Sequence, residues 1–339
     1  MSSTKLLVKV AAGVAVGLIL ALSACPLQAA AEELRPLSIT MEDYDYPYQV
    51  RFLPLTIEGQ DLRMAYMDVA PTGTPNGRSV VLLHGKNFFG AYWRETIDVL
   101  SRNGYRVVVP DQIGFGKSSR PNIHYSFHLM AVTTKKLLDT LGIRQAAIVG
   151  HSMGGMVATR FALLYPDTVT RLVLENPIGL EDYRELVPYI SLEEAYQNEL
   201  KATEKGIRDY IRGYFVTWKP EYDEYAMVAI RMRLSGEYYR QALSSALTYQ
   251  MIYEQPVCHE FRDVKAKTLL IIGQADRTVV GKARMKKELL PLAGNYPELG
   301  RKTAKLIPNA TLVEIPNAGH IPRFEFPARY HEALLRFLD

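Results

Sequence analysis

Cysteine and tryptophan are both scarce in this 339-residue chain, which has two of each. Cys25 and Cys258 are far apart in sequence and give no disulfide framework. No C-x-x-C pair, H-E-x-x-H segment or EF-hand loop occurs, so no metal is expected. Gly114-Phe115-Gly116 lacks the third glycine of a dinucleotide fingerprint, so no cofactor is expected either. Charge of one sign is also missing. The 40 Lys and Arg nearly balance the 36 Asp and Glu, and the net charge of +4 makes no case for nucleic acid as a partner. Low-complexity runs and internal repeats are absent.

One long apolar run stands out, from Val10 to about Ala24, behind Lys5 and Lys9. It is too short and too rich in small residues for a good membrane span, and with its basic flank it reads as a secretory leader over residues 1–31. Ala29-Ala30-Ala31 before Glu32 offers an A-x-A cleavage pattern. Leu22-Ser23-Ala24-Cys25 offers instead a lipobox, in which Cys25 would be lipidated and would anchor the chain to a membrane. Pro26 and Gln28 favour the first reading, and the expected location is periplasmic or secreted.

With 48% hydrophobic residues the remaining chain can bury a large core. Strand patterns near Tyr48 to Leu53 and Leu62 to Asp68, about a Gly59-Gln60 turn, predict an antiparallel hairpin. Strands and helices then alternate: Val80 to Leu83, a helix from Tyr92, Arg106 to Val109, a helix from Phe127 to Leu141, Ala146 to Val149, a helix over Met153 to Tyr165, and Arg171 to Leu174. Such alternation predicts an α/β fold with a mostly parallel sheet and helices on both faces.

Gly150-His151-Ser152-Met153-Gly154 is a G-x-S-x-G segment between the apolar strand and the helix. A turn this sharp strains the serine backbone, needs small neighbours, and leaves Ser152 Oγ exposed at its tip. A serine hydroxyl is a weak nucleophile until a base takes its proton, and the base needs a third group to orient it. Asp276 follows the apolar strand Thr268 to Ile272, and His320 follows the strand Thr311 to Ile315. Both fall where open parallel sheets collect their chemistry, past the carboxyl ends of strands. Glu175 and Asp182, after the preceding strand, remain alternatives for the acid. His124, His128, His259 and His331 are less suitably placed than His320 for the base. His151 points away from its neighbour Ser152 and packs beside it.

Together these segments, with His84-Gly85 and the run Asp111-Gln112-Ile113-Gly114-Phe115-Gly116-Lys117-Ser118, resemble the α/β-hydrolase superfamily from Val80 to the C-terminus. The resemblance is to the branch with a cap inserted after the sixth strand. It implies hydrolysis through Ser152, Asp276 and His320, with Lys86 and Met153 N–H groups as oxyanion donors and with His84 and Asp111 as braces. Lys86-Asn87 departs from the small or aromatic residues usual after His-Gly. The branch includes esterases, lipases, thioesterases, perhydrolases and carbon–carbon bond hydrolases. The implied partner is therefore a small-molecule ester or other acyl substrate, and an ester hydrolase is the expectation.

Strand alternation stops over residues 177–263, a Tyr-rich stretch expected to form a helical cap between core segments 32–176 and 264–339. Most of its tyrosines are expected to pack the cap onto the sheet, and none is assigned a binding role.

Overall fold

A computed structural model of the protein describes residues 1–2 and 34–339. The leader, both cleavage readings and Cys25 lie outside the described residues. The sheet has eight strands: β1 (Val50–Ile57), β2 (Gln60–Val69), β3 (Ser79–Leu83), β4 (Arg106–Pro110), β5 (Ala146–His151), β6 (Val169–Glu175), β7 (Thr268–Gly273) and β8 (Ala310–Ile315). Their spatial order is β1-β2-β4-β3-β5-β6-β7-β8, antiparallel at β1/β2 and β2/β4 and parallel elsewhere. Val80–Leu83, Ile148–Val149 and Leu269–Ile272 are continuous apolar runs because helices cover both sides of the parallel strands, and all are buried.

The hairpin turn falls at Glu58-Gly59, one residue earlier than the Gly59-Gln60 reading. Both residues have positive φ, 48° and 73°, the geometry that lets a two-residue turn follow strand twist. On the outer strand, Pro54 pairs with Arg63. Arg63 turns its N–H to Ser119 Oγ (2.9 Å) and its C=O to Ser119 N–H (3.0 Å), away from β1. The pair is thus a non-hydrogen-bonded one, and the amide hydrogen that proline lacks would have faced the open edge.

Helices α1 (Arg94–Arg102), α2 (Phe127–Thr140) and α3 (Met153–Leu164) connect the first parallel strands, and α9 (Tyr296–Leu306), α10 (Pro322–Glu325) and α11 (Pro327–Leu338) lie around the last two. The helix expected from Tyr92 begins with a 3-10 turn at Gly90–Trp93 before α1. Between β6 and β7 the chain forms α4 (Tyr183–Leu186), α5 (Leu192–Leu200), α6 (Glu204–Arg212), α7 (Asp223–Arg233) and α8 (Tyr238–Glu254). Ser191 caps α5 through Glu194 N–H (3.1 Å) and Thr203 caps α6 through Gly206 N–H (3.1 Å), which satisfies amides that have no carbonyl one turn earlier.

The order of strands determines where chemistry can collect. β3 leads outward to β4, whereas its other neighbour, β5, leads outward to β6, so loops after β3 and β5 diverge and leave a crevice. Gly150 on β5 is paired with Leu83 on β3 at the mouth of that crevice.

Candidate functional site: a serine, a histidine and an aspartate at the strand ends

Ser152 sits at φ 56° and ψ −122°, a conformation that costs a non-glycine residue about 1–3 kcal/mol. Hydrogen bonds over-determine it. Ser152 N–H donates to Glu175 C=O (3.2 Å), while Gly155 N–H (2.9 Å) and Ile178 N–H (3.2 Å) both donate to Ser152 C=O. The flanking glycines are required by close backbone approach. A Cβ on Gly150 would lie 2.2 Å from the Gly154 carbonyl oxygen, and one on Gly154 would lie 2.2 Å from that of Leu83. Strand, turn and helix can pass this closely only without side chains at those two places.

Asp276 follows β7 and His320 follows β8, and the structure brings both to Ser152. Ser152 Oγ–H donates to His320 Nε2 (2.9 Å), and His320 Nδ1–H donates to Asp276 Oδ2 (2.7 Å). Asp276 and His320 are buried, and Ser152, expected to be exposed at the tip of its turn, is buried too at 6% exposure. Burial pushes the Asp276 carboxyl up. The His320 ring and hydrogen bonds from Asn176 and Thr278 outweigh that and hold it below the ordinary carboxylate value. An ionised Asp276 holds the proton on Nδ1, leaving the Nε2 lone pair for the serine proton. Of the alternative acids, Glu175 is engaged by Arg323 Nη1 (2.6 Å), and Asp182 caps α4 and meets Arg184 and His259. Neither reaches His320.

Gly85 crosses directly over the serine: a Cβ there would be 2.9 Å from Ser152 Cβ. The next residue, Lys86, and the first residue of α3, Met153, carry N–H groups that donate to no protein acceptor among the described residues. Amides free at a helix start and in the neighbouring loop are what a developing oxyanion needs. His84 Nε2 accepts from Gln112 N–H (2.9 Å), and Asp111 accepts from Gly90 N–H (2.6 Å), Lys117 N–H (2.8 Å) and Tyr46 O–H (2.7 Å). Those contacts make His84 and Asp111 braces of the loops.

Several residues around the triad carried no sequence signal. Asn176, just past β6, gives its amide N–H to Asp276 Oδ2 (2.8 Å) and takes Gly273 N–H on its oxygen (2.8 Å), so it ties the acid loop to the sheet. Behind Ser152 runs a polar relay. Gly85 N–H donates to Tyr92 Oη (2.9 Å), Tyr92 O–H donates to His151 Nδ1 (3.0 Å), and His151 Nε2–H donates to His320 C=O (2.9 Å). Burial, the Arg323 charge and the His320 ring hold the His151 pKa far below the ordinary histidine value, so His151 is a neutral spacer. The Arg323 guanidinium is buried over the Trp93 ring (3.9 Å) and the Tyr92 ring (4.1 Å) while paired to Glu175.

A hollow of about 470 Å³ beside β8 and α11, lined by Leu269, Val313, Arg329 and Phe337 among others, contains none of these residues. Among the described residues no three His, Cys, Asp or Glu side chains gather as a metal site.

The model of the alpha/beta hydrolase fold family matches residues 78–327, nearly three quarters of the sequence. The chain belongs to that family. The α/β-hydrolase assignment agrees with a solved structure of a probable hydrolytic enzyme from Pseudomonas aeruginosa, 46% identical, covering 90% of this chain and 99% of that one with a TM-score of 0.88. A 2-hydroxy-6-oxononadienedioate/2-hydroxy-6-oxononatrienedioate hydrolase from Burkholderia vietnamiensis is 28% identical across 85% of this chain and 95% of its own length. A haloalkane dehalogenase from Mycobacterium marinum is 31% identical across a shorter stretch, 39% of this chain and 44% of its own. The α/β-hydrolase chain is accordingly a hydrolase.

Proposed function

We propose that this α/β-hydrolase is an exported serine hydrolase that cleaves a small or medium carboxylic ester. The supporting observation is the single line of hydrogen bonds Ser152 Oγ–His320 Nε2 and His320 Nδ1–Asp276 Oδ2, buried beneath a helical insertion. Ser152 attacks the ester carbonyl as His320 takes its proton. Lys86 and Met153 N–H groups hold the tetrahedral oxyanion, and the imidazolium, steadied by Asp276, protonates the departing alcohol. Water, activated by the same histidine, then releases the acid and regenerates Ser152. Export rests on the basic, apolar N-terminal pattern and on the A-x-A sequence at Ala29-Ala30-Ala31.

Carbon–carbon bond cleavage is a second reading, favoured by the name of the Burkholderia relative. A dioate carries two carboxylates that call for cationic partners. Lys86, next to Gly85 in the loop over the nucleophile, has its ammonium already bonded to Ser245 and close to Glu199, which weighs toward an uncharged ester.

The test is turnover of p-nitrophenyl esters of graded acyl length by the mature protein and by Ser152→Ala, with fluorophosphonate labelling alongside. The expected result is turnover that peaks at a short or medium acyl chain, and loss in the variant of both labelling and about 10⁴-fold or more of kcat. A native protein that is labelled yet turns over no ester would pass the proposal to the carbon–carbon reading. Labelling that persists in Ser152→Ala would overturn the nucleophile. The mass of the mature N-terminus tests export and separates cleavage before Glu32 from lipidation of Cys25.

A further inference from the structure

The two residues that depart from the usual pattern after His84-Gly85 are both gripped by the helical insertion. Lys86 Nζ donates to Ser245 Oγ (2.8 Å) on α8, and Ser245 O–H in turn donates to Glu199 Oε1 (2.7 Å) on α5. Asn87, at φ 72°, donates its side-chain N–H to the hydroxyl of Tyr214 (3.0 Å), just past α6. The left-handed backbone there suits asparagine better than almost any other residue with a side chain. The loop carrying one oxyanion amide is thus held at two successive side chains by helices inserted more than a hundred residues later.

Tyr214 also holds the base. Its ring is stacked on His320 with centroids 4.9 Å apart and planes at 26°, and its carbonyl accepts His320 N–H at 2.7 Å. Tyr210 packs edge-on against the Tyr214 ring (5.4 Å), and Phe88, in the same loop as Lys86 and Asn87, packs against that ring at 5.8 Å. One residue of the insertion therefore touches the base by ring and by backbone, and the oxyanion loop by its hydroxyl.

We propose that Tyr214 is a positioning residue that sets the distance between His320 and the Lys86 oxyanion amide, with Asn87 as its partner, so that the helical insertion completes the catalytic geometry. This rests on the serine-hydrolase reading above. Preorganised amides act only when aimed at where charge develops, and a displacement of about 1 Å is enough to cost orders of magnitude in rate. Tyr214→Phe keeps the stacked ring and the carbonyl while releasing Asn87 from its hydrogen bond. Asn87→Gly removes the same hydrogen bond from the other side and tolerates the left-handed backbone.

The experiment measures the maximal rate and half-saturating concentration of fluorophosphonate labelling at Ser152 for the native chain, Tyr214→Phe, Asn87→Gly and the double variant, with thermal melts of each. Labelling needs the base and the oxyanion amides whatever the natural substrate is, so a failed ester assay leaves this result readable. The expected outcome is a maximal rate about tenfold lower in each single variant with half-saturation changed less than twofold. The double variant should be no slower than either, because both changes remove one shared contact. A Tyr214→Phe rate within twofold of native would overturn the proposal. So would single-variant losses that multiply in the double, or losses that simply follow a fall in melting temperature.

Discussion

Polar groups of the sheet and polar groups of the insertion between β6 and β7 are handled in opposite ways. At the strand ends Glu175, Arg323, Asp276 and His320 are each 2% exposed or less, and every one has a partner on another element. On α6 the ion pair Lys205–Asp209 lies one turn apart within a single helix and faces solvent, while the half-buried Arg208 pairs with Glu204 on its own helix and with Asp223 at the start of α7. Buried pairs carry a large penalty when broken, whereas exposed ones contribute little. The sheet thus stakes its stability on long-range polar contacts, and the insertion holds to it by a few directed side chains. Substitutions in the two regions should accordingly have unequal reach.

Arg323→Met gives the largest expected effect. It strands Glu175 without its cation in a fully buried position and removes the guanidinium from the faces of Tyr92 and Trp93, costing about 3–5 kcal/mol of global stability. Denaturant unfolding measures it, and a loss below about 1 kcal/mol would erase the contrast between the regions. Next is acid sensitivity at His331, joined to Thr96 between α11 and α1. Burial foremost, and then the Arg323 charge, lower its pKa to about 4. The unfolded chain takes up this proton near pH 6.5 and the folded protein only near pH 4, so its contribution is full above about 6.5 and is lost as pH falls through that window. About 2 kcal/mol is expected from this group, and His331→Gln should flatten melting temperature against pH between those limits.

Asn176→Ala removes one donor from Asp276 and leaves Gly273 N–H unpaired in the interior. A loss of about 1–3 kcal/mol is expected, together with a lower kcat at nearly unchanged KM, as read by unfolding and by steady-state kinetics. Smallest is Thr203→Ala at the start of α6, costing about 1 kcal/mol. Hydrogen exchange should show this loss confined to α6 and its neighbours; protection falling equally in β5 would show that the insertion unfolds with the sheet.

The same contrast decides what was legible in the sequence. Ser152, Asp276 and His320 could be placed because each follows a strand with a recognisable apolar pattern, and strand ends of a parallel sheet share one edge. The two glycines around Ser152 announced the turn, and the structure shows the backbone collisions that demand them. Tyr214, Ser245 and Glu199 gave no such sign. They lie among a dozen aromatic and polar residues on helices whose direction over the sheet depends on packing, which no local pattern encodes. Asn176 and Tyr92 were hidden for another reason: a hydrogen bond to a residue about a hundred positions away, or to a loop amide, leaves no periodicity. Helix starts shifted as well, because Gly90–Trp93 takes a 3-10 turn where apolar spacing alone reads as α-helix.

Pro54 has a bearing on how copies of this protein meet. Because Arg63 faces Ser119, the proline sits where β1 would otherwise present an outward amide midway along its length. Among the described residues no strand lies beyond β1, and a second molecule laying a strand along that border would find one amide donor missing from the row and so would gain one hydrogen bond fewer by continuing the sheet.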